Sequence, residues 1–272
     1  FTLIELSIVL VIIGLVVGGV LVGRDLIKAA EIRAQISQIE KYNTAVHTFK
    51  LKYNGIPGDL SYTVAGSYGF VNTSCNGAIG ARDGNGILEP YPPPDDLDQF
   101  FGGPALFWED LSYSGLIKET FPANGGAIQT CWYVVNSVLT LGSGLLYVGN
   151  FIPTAAINGG NFIHVYAING INYFGLSGVT GTQPPNQWVM QSTRKLAVIT
   201  AYNIDTKIDD GFPLTGIVTT KYLSDFQTIL SSPNSATDST TTCSNNSIVQ
   251  GAYSIGINGG SGLNCSLSFK FQ

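Results

Sequence analysis

The chain of 272 residues is long enough for one large domain or two small ones, and its charged fraction of 11% is less than half of the roughly 25% typical of globular proteins. Its polar groups are mostly uncharged Ser, Thr and Asn side chains, which suits an extracellular surface. Residues 54–272 carry seven Lys/Arg against fourteen Asp/Glu, and so acidic a body repels phosphate backbones and argues against broad nucleic-acid binding.

An uninterrupted apolar segment covers residues 1–23, and Glu5 is its one ionisable side chain. As an α-helix this segment is about 35 Å long, enough to cross a hydrocarbon core of about 30 Å. No basic region precedes it and no small-residue cleavage site follows it, so the pattern is not that of a secretory signal peptide. Because the chain does not begin with Met, we expect that a leader is cut off immediately before Phe1.

Glu5 is the informative residue of this segment, because a carboxylate inside hydrocarbon is costly and normally has a partner. Its own chain offers only the α-amino group of Phe1, which is awkwardly placed for pairing within one helix. The Phe1 amine of a neighbouring subunit can meet Glu5 if the helices pack with an axial stagger. We therefore expect Glu5 to direct assembly; the alternative is an ordinary membrane anchor that happens to contain a carboxylate.

Phe1, Thr2, Leu3, Glu5 and the aliphatic run after them resemble the type III signal region of type IV pilins and type II secretion pseudopilins. The resemblance implies that a prepilin peptidase cleaves before Phe1 and methylates its amine, and that Glu5 guides docking into a growing helical homopolymer. It also implies a pilus or secretion assembly platform with its ATPase as partners. The expected location is the bacterial inner membrane before assembly and an extracellular filament on the cell surface afterwards.

The pilin-like fold that this resemblance implies is α+β, with a long N-terminal helix of about 50 residues packed on an antiparallel sheet with short helices and long loops. Residues 1–28 are the transmembrane or filament-core half of the helix. Residues 29–272 are the globular head, which includes the amphipathic half-helix 29–53. Apolar residues recur there at steps of three or four before the breaker Asn54-Gly55, namely Ile32, Ile36, Ile39, Val46, Phe49 and Tyr53.

Many type IV pilins have a proline at the position of Val22, whereas this chain has Gly14, Gly18, Gly19 and Gly23 in the same stretch. Each glycine costs about 1 kcal/mol relative to Ala in a helix interior. We predict local melting or stretching of these turns in an assembled filament. The alternative is close helix packing, because small residues four apart let backbones approach each other.

The head is predicted to begin with a loop-rich region up to about residue 104, followed by a short helix over 105–118. Apolar, β-branched and aromatic runs predict strands over 131–138, 145–152, 162–168 and 171–176. The Asn169-Gly170 step predicts a hairpin between the last two. Helical spacing returns over 187–208, the polar tract 231–247 is predicted to be a surface loop, and closing strands are expected over 248–257 and 265–271.

Four cysteines lack the spacing of zinc or haem sites and favour two disulfides in an exported protein. The sequence permits three pairings, of which Cys75–Cys131 with Cys243–Cys265 closes the most local loops. Buried free thiols are the alternative.

Oxygen ligands at alternate positions of one loop, Asp83, Asn85, the Ile87 carbonyl and Glu89, are the pattern that hard cations prefer. Calcium is therefore one prediction for this loop, and Asx turns without a metal are the other. No further cofactor is expected. A second acidic group, Asp205, Asp209 and Asp210, is interpreted as a helix end that runs into a turn, with a role left for a cation or for Lys207.

Catalytic motifs are absent from the sequence. His47 is interpreted as a half-exposed packing residue and His164 as a satisfied core or sheet residue. We therefore expect no enzyme. The leading prediction is a structural subunit, the major pilin of a type IV pilus-like filament that serves adhesion, motility or uptake. The alternative is a pseudopilin of a type II secretion system, which drives export of folded proteins.

Overall fold

The computed structural model describes residues 2–71, 82–89, 102–121, 148–157, 159–182, 190–223, 229–246 and 248–271. Four α-helices lie in these ranges: α1 (Leu3–Tyr53), α2 (Tyr62–Ser67), α3 (Gly102–Tyr113) and α4 (Val198–Ile208). Ten strands lie there too: β1 (Asn161–Ile168), β2 (Ile171–Thr182), β3 (Met190–Thr193), β4 (Val218–Thr219), β5 (Lys221–Leu223), β6 (Ile229–Ser231), β7 (Asn234–Ser235), β8 (Ser244–Asn245), β9 (Ala252–Tyr253) and β10 (Leu267–Phe271). The fold is α+β, as predicted.

Helix α1 contains 51 residues and is therefore about 75 Å long. Thr2 caps its N-terminus, and Lys50 and Lys52 in its last turn complement the negative end of the helix dipole. Asn54 ends the helix in the left-handed conformation with φ of 56°, and its N–H donates to the Lys50 carbonyl. The predicted end of the helix at Asn54 is confirmed.

The main sheet has the strand order β1-β2-β10-β4, with β3 paired to β2, and every pairing in it is antiparallel. The hairpin β1–β2 turns at Asn169 and Gly170, whose positive φ values of 51° and 75° are those of a type I′ turn. The predicted hairpin is confirmed. Two small sheets, β5-β6 and β7-β8-β9, lie beside the main one, and β7–β8 is a parallel pair.

The second half of α1 covers one face of this sheet with the predicted apolar stripe. Five of the six predicted residues are buried and Ile36 is partly buried. Tyr42 joins them, with its ring 4.8 Å from that of Trp108 on α3 and 6.3 Å from that of Phe174 on β2. Burial of these large side chains, each stabilising by roughly 1.5–3 kcal/mol, attaches the helix to the head.

The predicted helix over 187–208 is wrong in its first part, because Met190–Thr193 forms β3 and α4 begins only at Val198. Met190 is fully buried and its strand extends the β2 ladder, so tertiary pairing overrides the helical spacing. The helix predicted over 105–118 is Gly102–Tyr113, and Gly115 beyond it has φ of 71°.

Two strand predictions and one loop prediction also change. Val148–Asn150, inside the predicted strand 145–152, is a 3-10 turn. The predicted strand 248–257 is reduced to the two residues of β9, because the chain on either side of β9 forms turns. The polar tract 231–247, predicted to be a loop, contributes β7 and β8. The closing strand is confirmed as β10. Residues 131–138, Trp132 and Trp188 lie outside the described residues.

Cys243 and Cys265 form a disulfide with a Cα–Cα distance of 5.0 Å, and both are fully buried. This pairing was predicted and is confirmed. It fastens the polar tract to the chain just before β10. Cys75 and Cys131 lie outside the described residues.

Candidate functional site

The first half of α1 makes a bare apolar surface, which we call the stem and define as residues 3–23. Its aliphatic side chains expose between 51% and 88% of their surface, and none of its most apolar window is buried in the chain. Among the described residues α1 is the one helix long and apolar enough to cross a membrane. So much contiguous apolar surface requires cover by lipid or by protein.

Glu5 already has a partner in its own chain, so the expectation that only the Phe1 amine was near is wrong. The Thr2 backbone N–H donates to Glu5 Oε2 at 2.7 Å, and the Glu5 N–H donates to Thr2 Oγ1 at 3.4 Å. This is a capping box, and the Thr-x-x-Glu spacing was its signal in the sequence. Phe1 lies outside the described residues, so its pairing with Glu5 of a neighbour stays a prediction.

The four stem glycines have no packing role within the single chain. A Cβ added at Gly14, Gly18, Gly19 or Gly23 meets nothing within 4 Å, and α1 passes through them without interruption. Contacts within the described chain therefore do not account for these glycines. Both predictions made for them stay open.

The structure brings together the predicted calcium residues. Asn85 Nδ2 donates to Asp83 Oδ2 at 2.9 Å and lies 3.5 Å from Glu89 Oε2. Asn85 Oδ1 accepts from Ile87 N–H at 2.7 Å, and the Ile87 carbonyl accepts from Glu89 N–H at 3.0 Å. The bond from Ile87 N–H to Asn85 Oδ1 is an Asx-turn bond, as is that from Asn85 N–H to Asp83 Oδ1 at 3.1 Å, and these bonds use the same oxygens that a cation needs. Calcium at this loop stays a prediction.

Asp59, which was not predicted from the sequence, holds this loop in place through two hydrogen bonds. Its carboxylate accepts from Gly84 N–H at 3.1 Å and Gly86 N–H at 2.7 Å. Burial, together with a hydrogen bond from neighbouring Asp83, raises the pKa of Asp59 to about 7, despite the two backbone donors. Its position six residues after Tyr53, the last residue of α1, gave no signal in the sequence.

A second missed feature is a fully buried ion pair between Arg82 and Asp110. Arg82 donates from Nη2 to Oδ1 at 2.7 Å and from Nη1 to Oδ2 at 3.0 Å, and its Nε donates to the Val71 carbonyl. Asp110 also accepts from Gly58 N–H at 2.7 Å. Three segments of the head are thus joined at one guanidinium. Burial raises the pKa of neighbouring Glu109 to about 7, with Asp110 adding to the effect.

The second acidic group is a helix end that runs into a turn, as interpreted. Asp205 accepts from the Tyr253 hydroxyl at 2.7 Å and from Gly211 N–H at 3.2 Å. Asp209 accepts from two backbone N–H groups of the following loop, and Asp210 from one. The three carboxylates lie within 4.8 Å of one another, yet each already has donors. Burial raises the pKa of Asp205 to about 7.

His47 is exposed on α1 and not half-exposed as interpreted, because it lies on the face of the helix that turns away from the head, and His164 is fully buried on β1. The interpretation of His164 as a core or sheet residue is confirmed, but the expectation that it is satisfied is wrong, because neither of its nitrogens has a hydrogen-bond partner among the described residues. Its ring lies directly over Gly175, where an added Cβ would come within 2.3 Å of Nε2. Burial lowers its pKa to about 3, so the imidazole is neutral. No carboxylate orients it, and no nucleophile contacts it, within the ranges that the structure describes.

The chain therefore combines a helix with a bare apolar half and a folded head built on that helix and an antiparallel sheet. This is a pilin-like architecture. No protein-family model, curated protein or solved structure matches the chain.

Proposed function

We propose that this protein is a structural subunit, the major pilin, of an extracellular type IV pilus-like filament. The observation that carries the proposal is the stem: an apolar helix that is not buried by the described part of the head, with a carboxylate near its tip. Because the head folds without packing on the stem, the stem is free to contact other molecules.

Energetics restrict what the stem can contact. Each large aliphatic side chain gains roughly 1.5–3 kcal/mol when it is buried, so the fifteen of residues 3–23 cannot be left in water. The stem can leave the lipid only for another apolar surface. Stems of other copies offer that surface in the right shape and length, because each copy presents the same helix.

Glu5 supplies the register for such packing. Its capping-box bond occupies one carboxylate oxygen, Oε2, and the group is exposed at the tip of the helix. The Phe1 amine of a staggered neighbour can approach the carboxylate and form a charge-assisted hydrogen bond. In the low-dielectric core of a filament such a pair is strong, and a carboxylate without it is penalised. Assembly then favours the staggered arrangement over all others.

Processing and delivery follow from the resemblance of the first residues to the type III signal region. A prepilin peptidase, an assembly platform and its ATPase are the partners that we infer. The subunit would wait in the bacterial inner membrane, with the stem in lipid, and then join the filament.

The test is electron microscopy of material sheared from the surface of cells that express the chain. Long filaments composed of this chain support a major pilin. The alternative, a pseudopilin of a type II secretion system, uses the same stem in a short periplasmic filament. Absence of surface filaments, together with a secretion defect on deletion, supports that alternative and overturns the proposal. Absence of both phenotypes overturns the two candidates together.

A further inference from the structure

A cavity of about 450 Å³ lies where α1 ends, between the segment after the helix, the Asp83 loop and the β1–β2 turn. This volume falls within the roughly 300–1,000 Å³ typical of small-molecule sites. The stem plays no part in it, because the cavity lies at the other end of a helix of 51 residues.

Three of the residues that line the cavity have polar side chains that form no hydrogen bond to any other described residue. They are Lys50, Asn54 and Ser61. The floor is apolar and contains Ile56 and Leu60, both almost fully buried. Free donors and acceptors around an apolar floor are the features that fix a polar ligand in a pocket.

The charges around the cavity select the class of that ligand. The Lys50 ammonium repels a cationic ligand. The Asp83 carboxylate, which contacts the lining residue Asn85, and the negative end of the α1 dipole repel an anionic one. Asp59 is itself closed to a ligand, since it is 2% exposed and already accepts two backbone N–H groups. A neutral ligand with several hydroxyl groups can use both the free donors and the free acceptors.

We propose that this cavity binds a neutral saccharide. The hydroxyls of one sugar ring hydrogen-bond to Lys50, Asn54 and Ser61, and its C–H face packs on the apolar floor. The glycines of the rim, Gly84, Gly86 and Gly170, carry no side chains and let the ring approach the backbone closely. This inference is independent of filament assembly, because every group it uses belongs to a single head.

The test uses saturation-transfer NMR on the full chain in detergent micelles. The probes are neutral methyl hexosides, with a uronate, inorganic phosphate and methylammonium for comparison. We expect a neutral hexoside to bind and the three charged probes to bind at least tenfold more weakly. The double variant Lys50→Met with Asn54→Gly should weaken hexoside binding at least tenfold, since glycine keeps the left-handed helix cap.

Lys52→Met is the matched control, because Lys52 lies two residues from Lys50 but stacks 4.9 Å above the Tyr53 ring instead of lining the cavity. This variant should bind the hexoside as the unchanged chain does. Thermal unfolding of all three proteins shows that the heads are folded. The inference is overturned if no neutral hexoside binds, if a charged probe binds best, or if the double variant retains full binding. Each of these outcomes leaves the filament proposal untouched.

Discussion

The stem and the head of this molecule achieve their structure in opposite ways. The stem is a helix without a single tertiary contact of its own in the described chain, and its apolar side chains face outward. The head buries its apolar side chains in one core, and a disulfide and a buried ion pair secure its loops. The difference teaches that stability and assembly are separable here, so substitutions in one region should leave the other property intact.

The largest expected effect on the head comes from Arg82→Met, which leaves Asp110 buried without its guanidinium partner. Removing one member of a buried pair typically costs about 3–5 kcal/mol. We expect a loss of this size in the free energy of unfolding of the head, measured by denaturant titration of the full chain in detergent.

Lys41→Met is the control for Arg82→Met, because Lys41 pairs with Glu119 at 3.0 Å with both side chains about one-third exposed. Exposed pairs contribute about 0–1 kcal/mol. Equal losses from the two variants would contradict the view that the buried pair stabilises the head.

The next largest expected effect on the stability of the head comes from calcium bound at the Asp83 loop. A ligand at a hundred times its dissociation constant stabilises a fold by about 2.7 kcal/mol. Chelation should therefore lower the melting temperature of the head in the unchanged chain and leave that of an Asp83→Asn variant unaltered. If chelation does not change the melting temperature, the loop does not bind calcium, and the Asx turns alone account for its structure.

The buried imidazole of His164 predicts a pH effect. Its pKa falls from 6.5 to about 3 on folding, so its contribution to stability is complete above pH 6.5 and is lost as the pH falls towards 3. The loss is at most about 1.4 kcal/mol per pH unit. The raised pKa values of Asp59, Glu109 and Asp205 make the fold more stable as the pH falls, which opposes the effect of His164. The pH dependence of the unchanged chain alone therefore does not reveal the contribution of His164.

His164→Phe isolates this effect, because phenylalanine can lie over Gly175 in the same way and does not titrate. Below pH 6.5 the variant should become progressively more stable than the unchanged chain at each pH, as measured by thermal unfolding. A constant difference between pH 7 and pH 4 would show that the imidazole is not confined in its neutral form.

The smallest effect belongs to the stem. Gly18→Ala should stabilise the isolated helix by about 1 kcal/mol, because a Cβ there meets nothing in the single chain. Head stability should not change. If the glycine is needed for melting or close packing, filaments of this variant should be fewer or altered in helical symmetry, as seen by electron microscopy. Filaments identical to those of the unchanged chain would dismiss both roles.

Local signals were sufficient to predict the parts of this fold that local physics determines. The long apolar run, the periodic stripe up to Tyr53 and the Asn169-Gly170 turn each depend on neighbouring residues, and each is confirmed. Met190–Thr193 was mistaken for helix because its state depends on pairing with β2, which its own apolar spacing does not reveal. The Arg82–Asp110 pair joins residues 28 apart, and Asp59 meets a loop 25 residues later, so neither left a pattern in the sequence. The Thr-x-x-Glu spacing of Thr2 and Glu5 does predict the capping box, but this prediction was not made.

The central claim is that Glu5 directs assembly of the stem into filaments. The most direct test is to count surface filaments by electron microscopy on cells that express Glu5→Ala. Membrane insertion and unfolding of the head are measured on protein from the same cells. Thr2→Val is the matched control, because it removes the Thr2 hydroxyl of the capping box but keeps the carboxylate for a neighbour. We predict normal insertion and an unchanged head in both variants, filaments lost in Glu5→Ala and filaments retained in Thr2→Val. Normal filaments from Glu5→Ala would contradict the account.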